Sequence, residues 1–133
     1  MIDRARYDQY LAAFNARDYD AVADFYVQPP TLSFFGIEIR SREDLKAFYQ
    51  FLHSYVRETV TVTAFAASDE LTAVDAVVRI EAFRDLDAMT LAANGCPGFF
   101  PVKAGEVQEM RQFLHYAVSG GKFARVECAL PLP

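Results

Sequence analysis

The stretch from Glu58 to Asp85, ETVTVTAFAASDELTAVDAVVRIEAFRD, determines the predicted fold. Its first part, Glu58–Ser68, is rich in β-branched residues and alternates with a period of two, which is typical of a β-strand. Asp69-Glu70 predicts a turn, and Leu71–Asp85 predicts a second long strand. Two consecutive strands of this length predict a long antiparallel hairpin within a β-sheet.

Helices are predicted ahead of this hairpin. Residues 3–16 place four apolar side chains on one helical stripe, namely Tyr7, Tyr10, Leu11 and Phe14. Asp18 is the predicted N-cap of a second, short helix that ends near Tyr26. We expect Pro29-Pro30 to terminate that region, because neither proline can supply a helical N–H.

Two short strands and a third helix follow. Thr31–Phe35 and Ile37–Ile39 are predicted strands on either side of a turn at Gly36. Ser41, with Asp44 three residues later, predicts a helix N-terminus of the capping-box type. The helix is expected to run from Arg42 to about Val56.

The chain after the long hairpin contains a second hairpin. Residues 86–105 hold three glycines and two prolines and predict a loop of about 20 residues, a length typical of functional lids or disordered segments. Glu106–Ser119 and Lys122–Leu130 are predicted strands joined at Gly120-Gly121. The order is therefore three helices followed by a four-strand meander.

This order predicts a single α+β domain over residues 1–133. Four long strands, with the short N-terminal strands, twist into a cone-shaped antiparallel sheet, and three helices cover its concave face. Such a cone leaves a cavity. Burial of the opposite, convex face against a second copy is the natural solution for an exposed sheet face, and we expect a homodimer.

Composition excludes several classes of protein. The chain has 133 residues, 53% of them hydrophobic and 23% charged, which is a globular balance rather than a disordered one. A net charge of −5 with no basic stripe argues against nucleic acid and anionic membranes as partners. Two distant cysteines, Cys96 and Cys128, fit a reducing compartment, and a soluble cytoplasmic protein is expected.

Three segments resemble one known superfamily. Tyr10–Asp20 resembles the opening helix pair of the nuclear transport factor 2-like superfamily, and within it the SnoaL-like polyketide cyclase and ketosteroid isomerase group. Gly36–Glu43 resembles the turn into the third helix of that group, and His115–Phe123 resembles its last hairpin. The resemblance implies the fold but not an activity, because this fold carries both enzymes and binding modules.

Alignment with this group also implies which side chains face the cavity. On Glu106–Ser119 the inward set is Met110, Gln112, Leu114, Tyr116 and Val118. On Lys122–Leu130 it is Ala124, Val126, Cys128 and Leu130. Both sets are mostly apolar, which favours the same register independently.

The strand Leu71–Asp85 leaves two registers open. The alignment turns Asp75, Val77, Arg79 and Glu81 inward, and this register is the one we adopt. The alternate set, Val74, Ala76, Val78, Ile80 and Ala82, is wholly apolar, so hydrophobicity alone would bury it instead.

If they face inward, Arg79 and Glu81 form a pair on one face of a strand. Their spacing resembles the limonene epoxide hydrolase branch, where an Arg and an Asp two residues apart act as an acid relay. Here Glu81 stands for that Asp, and the water-activating Asp of the branch would fall near Cys128. An exposed or interfacial salt pair is the equally weighted alternative.

The resemblance to ketosteroid isomerase places its oxyanion tyrosine at Tyr10. Its general base would fall at Phe34 and its second acid at Leu114, and neither side chain can transfer a proton. Isomerisation by that route is therefore disfavoured. The more common role for Tyr10 is that of a core tyrosine with a satisfied hydroxyl.

Two functional hypotheses follow. The first is an enzyme that acts on a small apolar or polycyclic molecule by acid–base chemistry, without cofactor or metal. Its candidate catalytic residues are Asp75, Arg79 and Glu81, with Asp75 as a base of raised pKa. The second is a ligand-binding or dimeric interaction module without catalysis. In both cases the expected ligand contacts are Tyr10, Phe14, Phe34, Gln112, Leu114, Tyr116 and Cys128.

Overall fold

A six-stranded sheet and four helices make up the computed structural model, which describes residues 1–132. The helices are α1 (Arg4–Asn15), α2 (Tyr19–Asp24), α3 (Arg42–Leu52) and α4 (Ala88–Ala93). The strands are β1 (Tyr26–Phe34), β2 (Ile37–Ile39), β3 (Val56–Ala67), β4 (Leu71–Ala82), β5 (Val107–Ser119) and β6 (Lys122–Ala129).

The strand order is β2-β1-β6-β5-β4-β3, and the sheet is curved and unclosed. Strands β3 to β6 form the predicted antiparallel meander. Strand β1 joins β6 in parallel, and β2 pairs with β1 as an antiparallel edge. The α+β class and the cone-shaped sheet are confirmed. None of the helices in residues 1–132 has the length and apolar composition needed to cross a membrane.

Two predicted helix N-termini are present in the structure. The Asp18 side chain accepts a hydrogen bond from the Ala21 amide at 3.1 Å, and the Ser41 hydroxyl accepts one from the Asp44 amide at 3.1 Å. Each bond satisfies a backbone donor that the first helical turn leaves free. Helix α3 ends at Leu52 rather than near Val56, because Val56 already begins β3.

The two prolines lie inside a strand, contrary to the prediction. Helix α2 ends at Asp24, five residues before Pro29, so the prolines do not terminate it. Strand β1 begins at Tyr26 and contains both Pro29 and Pro30. Pairing of β1 with β6 is interrupted between Tyr26 and Thr31. The prolines therefore occupy an irregular stretch in which a missing backbone N–H breaks no regular ladder.

Residues 86–105 are more ordered than predicted. They contain α4 and a short bridge in which Leu86 and Val102 exchange two backbone hydrogen bonds of 2.8 and 3.0 Å. Five of their side chains are buried, namely Leu86, Leu91, Cys96, Phe99 and Val102. A Cβ atom at Gly98 would overlap the carbonyl oxygen of Phe35, so glycine allows this segment to lie directly against the β1–β2 turn.

The register of β4 is opposite to the one adopted from the alignment. Its buried residues are Thr72 and the wholly apolar set, Val74, Ala76, Val78, Ile80 and Ala82, each 3% exposed or less. Asp75, Val77, Arg79 and Glu81 therefore lie on the outer face. The physical reason is that this register buries five apolar side chains and leaves three charges in contact with water.

The other two registers are confirmed on β5 and only partly on β6. Gln112, Tyr116 and Val118 are buried on β5. On β6, Val126 is buried, but Phe123 points into the core in place of Ala124, and Leu130 is exposed beyond the end of the strand. A shift in the β5–β6 pairing between Ala117 and Val118 explains the exchange of faces.

Candidate functional site

An apolar cavity of about 80 Å³ lies between the inner face of the sheet and helices α1 and α3. Much of its wall is aromatic, and the rings are Tyr7, Tyr10, Phe14, Tyr26, Phe34, Phe35, Phe48, Tyr49, Phe99 and Tyr116. The seven residues predicted as ligand contacts all line this cavity, although their role in binding stays a prediction. They are Tyr10, Phe14, Phe34, Gln112, Leu114, Tyr116 and Cys128.

Two pairs of tyrosines connect α1 to the sheet across the cavity. The hydroxyl oxygens of Tyr7 and Tyr116 are 2.9 Å apart, and those of Tyr10 and Tyr26 are 2.7 Å apart. In each pair one O–H donates to the other oxygen, so the second hydroxyl keeps a proton that the pair does not use. Tyr10 is thus a core tyrosine with a partner, as the alternative assignment proposed.

Other polar groups on the wall lack a partner within residues 1–132. The Tyr49 hydroxyl makes no hydrogen bond there, and the Gln112 side chain uses only its oxygen, which accepts from the Cys128 thiol at 3.4 Å. Burial raises the pKa of the Tyr49 hydroxyl well above 10 and also raises that of the Cys128 thiol. Both groups therefore stay protonated at neutral pH. The cavity thus presents hydrogen-bond donors from Tyr49 and from the Gln112 amide.

Glu58 supplies the one carboxylate on the cavity wall in the described part of the chain. Its Oε1 lies 2.9 Å from Nε2 of His53, a side chain that is 3% exposed. Nδ1 of His53 lies 2.8 Å from the Tyr19 hydroxyl. A proton on Nε2 allows His53 to donate to Glu58, and Nδ1 shares the second hydrogen bond with the Tyr19 hydroxyl.

The sequence predictions missed this Tyr19–His53–Glu58 chain. Alternation along β3 places Glu58 on the same face as Val60 and Val62, so one carboxylate shares an otherwise apolar face. This alternation is the feature of the sequence that could have predicted Glu58 as a residue of the cavity wall. No group of three or more metal-ligating side chains is placed to hold an ion within residues 1–132.

Glu58 also separates the cavity from a polar groove of about 380 Å³ on the surface. Glu58 and Phe14 line both, and the groove adds Arg17, His53 and Arg57 among its walls. The Arg17 guanidinium donates to the His53 carbonyl oxygen at 3.0 Å. The carboxylate therefore lies between an aromatic interior and a cationic exterior.

The three predicted catalytic residues do not reach the cavity. Asp75 accepts two hydrogen bonds from Arg111, at 2.6 and 3.0 Å, and this contact lowers its pKa, whereas a raised value was expected. Arg79 bonds Glu81 at 3.0 Å on the outer face, where both side chains are more than 40% exposed. Arg79 and Glu81 therefore form an exposed salt pair, which was the alternative to a catalytic pair in the sequence analysis.

Comparison with known proteins identifies the fold. No protein-family model and no curated protein matches the chain. A "putative polyketide cyclase" from Pseudomonas putida is 19% identical, with a TM-score of 0.73 over 92% of this chain and 86% of that one.

Two further structures similar to this chain contain or were designed for a small ligand. A hypothetical protein from Catenulispora acidiphila, with a ketosteroid isomerase-like fold and in complex with trimethylamine, is 11% identical, with a TM-score of 0.69 over 92% and 82% of the two chains. A computationally designed 17-OHP binder is 18% identical, with a TM-score of 0.68 over 94% and 89%. The chain therefore has the nuclear transport factor 2-like fold that the sequence resemblance implied.

The buried tyrosines predict a loss of stability at high pH. Burial raises the pKa of Tyr7 from 10.0 to about 12 and raises that of Tyr10 as well. Between about pH 10 and pH 12 the unfolded chain loses phenolic protons that the folded chain keeps, so the free energy of unfolding falls as pH rises. Below about pH 10 these groups contribute no pH dependence.

Urea unfolding across this pH range, with phenolate absorbance of the folded protein, measures the effect. We expect a fraction of the seven tyrosines to resist ionisation until the protein unfolds. Ionisation of all seven near pH 10 in the folded state would contradict the assignment of the buried pairs.

Proposed function

We propose that the protein binds a small, largely apolar molecule inside the aromatic cavity, with Tyr49 and Gln112 donating hydrogen bonds to an acceptor on that molecule. The observation that carries this proposal is the presence of unused donors on a largely aromatic and aliphatic wall. No buried side-chain nitrogen or oxygen in residues 1–132 lacks a partner, so these two donors are open to the cavity, where an occupant can accept hydrogen bonds from them. Tyr10, Phe14, Phe34, Leu114, Tyr116 and Cys128 would supply the surrounding contacts.

The size of the cavity restricts the ligand. An apolar protein cavity of about 150 Å³ accommodates benzene, and this one has about 80 Å³. The expected polycyclic ligand does not fit such a space. A molecule of a few non-hydrogen atoms is the better match.

The structural neighbours support ligand binding as a use of this fold. One is in complex with trimethylamine, and another was designed to bind 17-OHP. Their identities of 11% and 18% carry no residue-level assignment to this chain. They support the general proposal that the interior of the cone holds a small molecule.

Filling the cavity should abolish binding. Cys128→Phe places a ring in the space beside Gln112, and we expect saturable binding of ethanol, followed by amide chemical shifts in NMR, to weaken at least about tenfold. Ala129→Phe is the matched control, because Ala129 is the next residue of β6 and is exposed. Equal binding by wild type and Cys128→Phe would contradict the proposed location of the ligand.

Acid–base catalysis without a cofactor is the second candidate function. The observation that favours it is the Glu58 carboxylate on the cavity wall, held by His53, rather than the outer-face residues Asp75, Arg79 and Glu81. A carboxylate in this position can take a proton from a carbon beside a carbonyl group, while Tyr49 donates to the carbonyl oxygen.

Hydrogen–deuterium exchange at the methyl groups of acetone in D₂O tests this candidate, because acetone is small enough for the cavity. Wild-type protein should accelerate the exchange, and Glu58→Gln should remove at least about 90% of the acceleration, as general-base contributions are typically a hundredfold or more. Acceleration that survives in Glu58→Gln would exclude Glu58 as the base.

The outer face of the sheet is our proposed homodimer interface. Its charges are largely paired within the chain, as in Asp75–Arg111, which limits the desolvation penalty of covering them. The Arg111 guanidinium lies 5.0 Å from the centre of the Phe113 ring, so this face presents an aromatic side chain beside its paired charges. A two-fold axis would place equivalent surfaces opposite each other.

The expected cytoplasmic location also stays a prediction.

Light scattering coupled to size exclusion tests the dimer. We expect about twice the 15.0 kDa chain mass for wild type, and a shift to monomer for Phe113→Lys, which puts an unpaired charge into the contact. Met89→Lys on α4, at a side chain 82% exposed, is the control and should leave the mass unchanged. A monomeric wild type at micromolar concentration would contradict the proposal.

A further inference from the structure

We infer that the aromatic cavity selects a small alkylammonium cation, held by the Glu58 carboxylate and the surrounding ring faces. The inference rests on the proposed function, since it names the chemical class of the ligand in the same cavity. It follows from charge, from ring chemistry and from volume.

The charge on the cavity wall has one sign. Within the described residues, Glu58 is the one carboxylate on that wall, and no lysine, arginine or histidine lines it. Its side chain is 15% exposed. A carboxylate in a poorly solvated site is stabilised by a nearby cation more strongly than it would be in water. His53 occupies Oε1, and Oε2 has no hydrogen-bond partner in residues 1–132.

The aromatic wall favours the same charge. The faces of tyrosine and phenylalanine rings carry partial negative charge and attract ammonium groups, above all methylated ones that are weakly hydrated. Ten rings line a space of about 80 Å³, so a small occupant touches several of them at once. Aliphatic side chains complete the wall and suit the methyl groups of such a cation.

The charge of Glu58 also acts on the tyrosines beside the cavity. Burial is the main cause of their raised pKa values, and the Glu58 charge adds to the increase at Tyr10 and Tyr49. The cavity therefore resists negative charge and favours positive charge. Arg17 and Arg57 oppose this preference from the groove, but they lie on the other side of Glu58, and Arg17 donates to the His53 carbonyl.

Dimethylammonium and ethanol provide a matched pair of probes. Each has three non-hydrogen atoms, and they differ in charge. Binding to the ¹⁵N-labelled full-length protein is followed by amide chemical shifts at constant ionic strength. We expect dimethylammonium to bind about tenfold more tightly, in line with cation–π and ion-pair contributions in a desolvated site.

Two variants separate the charge of Glu58 from the shape of the cavity. Glu58→Gln should reduce the affinity for dimethylammonium to about that for ethanol, a much larger loss than any change in the affinity for ethanol. Glu70→Gln makes the same change in net charge at an exposed position and should alter neither affinity. If Glu58→Gln fails to fold, the comparison of the two probes on wild type still decides.

The outcomes distinguish the inference from the proposed function. Binding of ethanol as tightly as dimethylammonium overturns the cation preference and leaves the proposed small-molecule site standing. An equal loss of both affinities in Glu58→Gln also overturns it, since Glu58 would then shape the cavity rather than supply charge. Failure of both probes to bind wild type overturns the inference and the proposed function together.

Discussion

A buried hydroxyl needs a hydrogen-bond partner, and the arrangement of the whole interior depends on how the tyrosines meet this requirement. Tyr7 and Tyr10 are one helical turn apart on α1, and each bonds a tyrosine of the sheet. Tyr116 belongs to β5 and Tyr26 to β1, so the two bonds fix α1 over the middle of the sheet. Loss of either partner leaves a desolvated O–H, which is more unfavourable than the modest net gain of the bond itself.

The same rings determine how much space remains inside. Phe123 is fully buried, and its ring packs against Tyr10 and Tyr116 at centroid distances of 5.1 and 4.5 Å. Phe123 thus fills the space behind these two tyrosines, and the cavity extends from Tyr10 and Tyr116 toward Tyr49, Glu58 and Phe99.

How far the sequence predicts the structure depends on the element. On β5 the apolar alternation and the family alignment agree, and the register is right. On β4 they disagree, and the apolar set wins, since burial of Val74 through Ala82 outweighs analogy. No face was assigned to β3 in the sequence analysis, so Glu58 was not predicted to line the cavity. The hydrogen bond between Glu58 and His53 depends on the turn after α3, which brings the two residues together. The glycine and proline content of residues 86–105 predicted a loop, but the structure has a packed segment with a short helix there.

The order of the strands determines which strands lie at the edges of the sheet, where aggregation with other chains can begin. Strands β2 and β3 are the two edges of the sheet, and an edge with free backbone groups can template another chain. Strand β2 is only three residues long, and β3 changes register between Val62 and Ala64. Both edges are therefore poor templates for strand addition, which protects a protein this rich in β-branched sequence from amyloid-like growth.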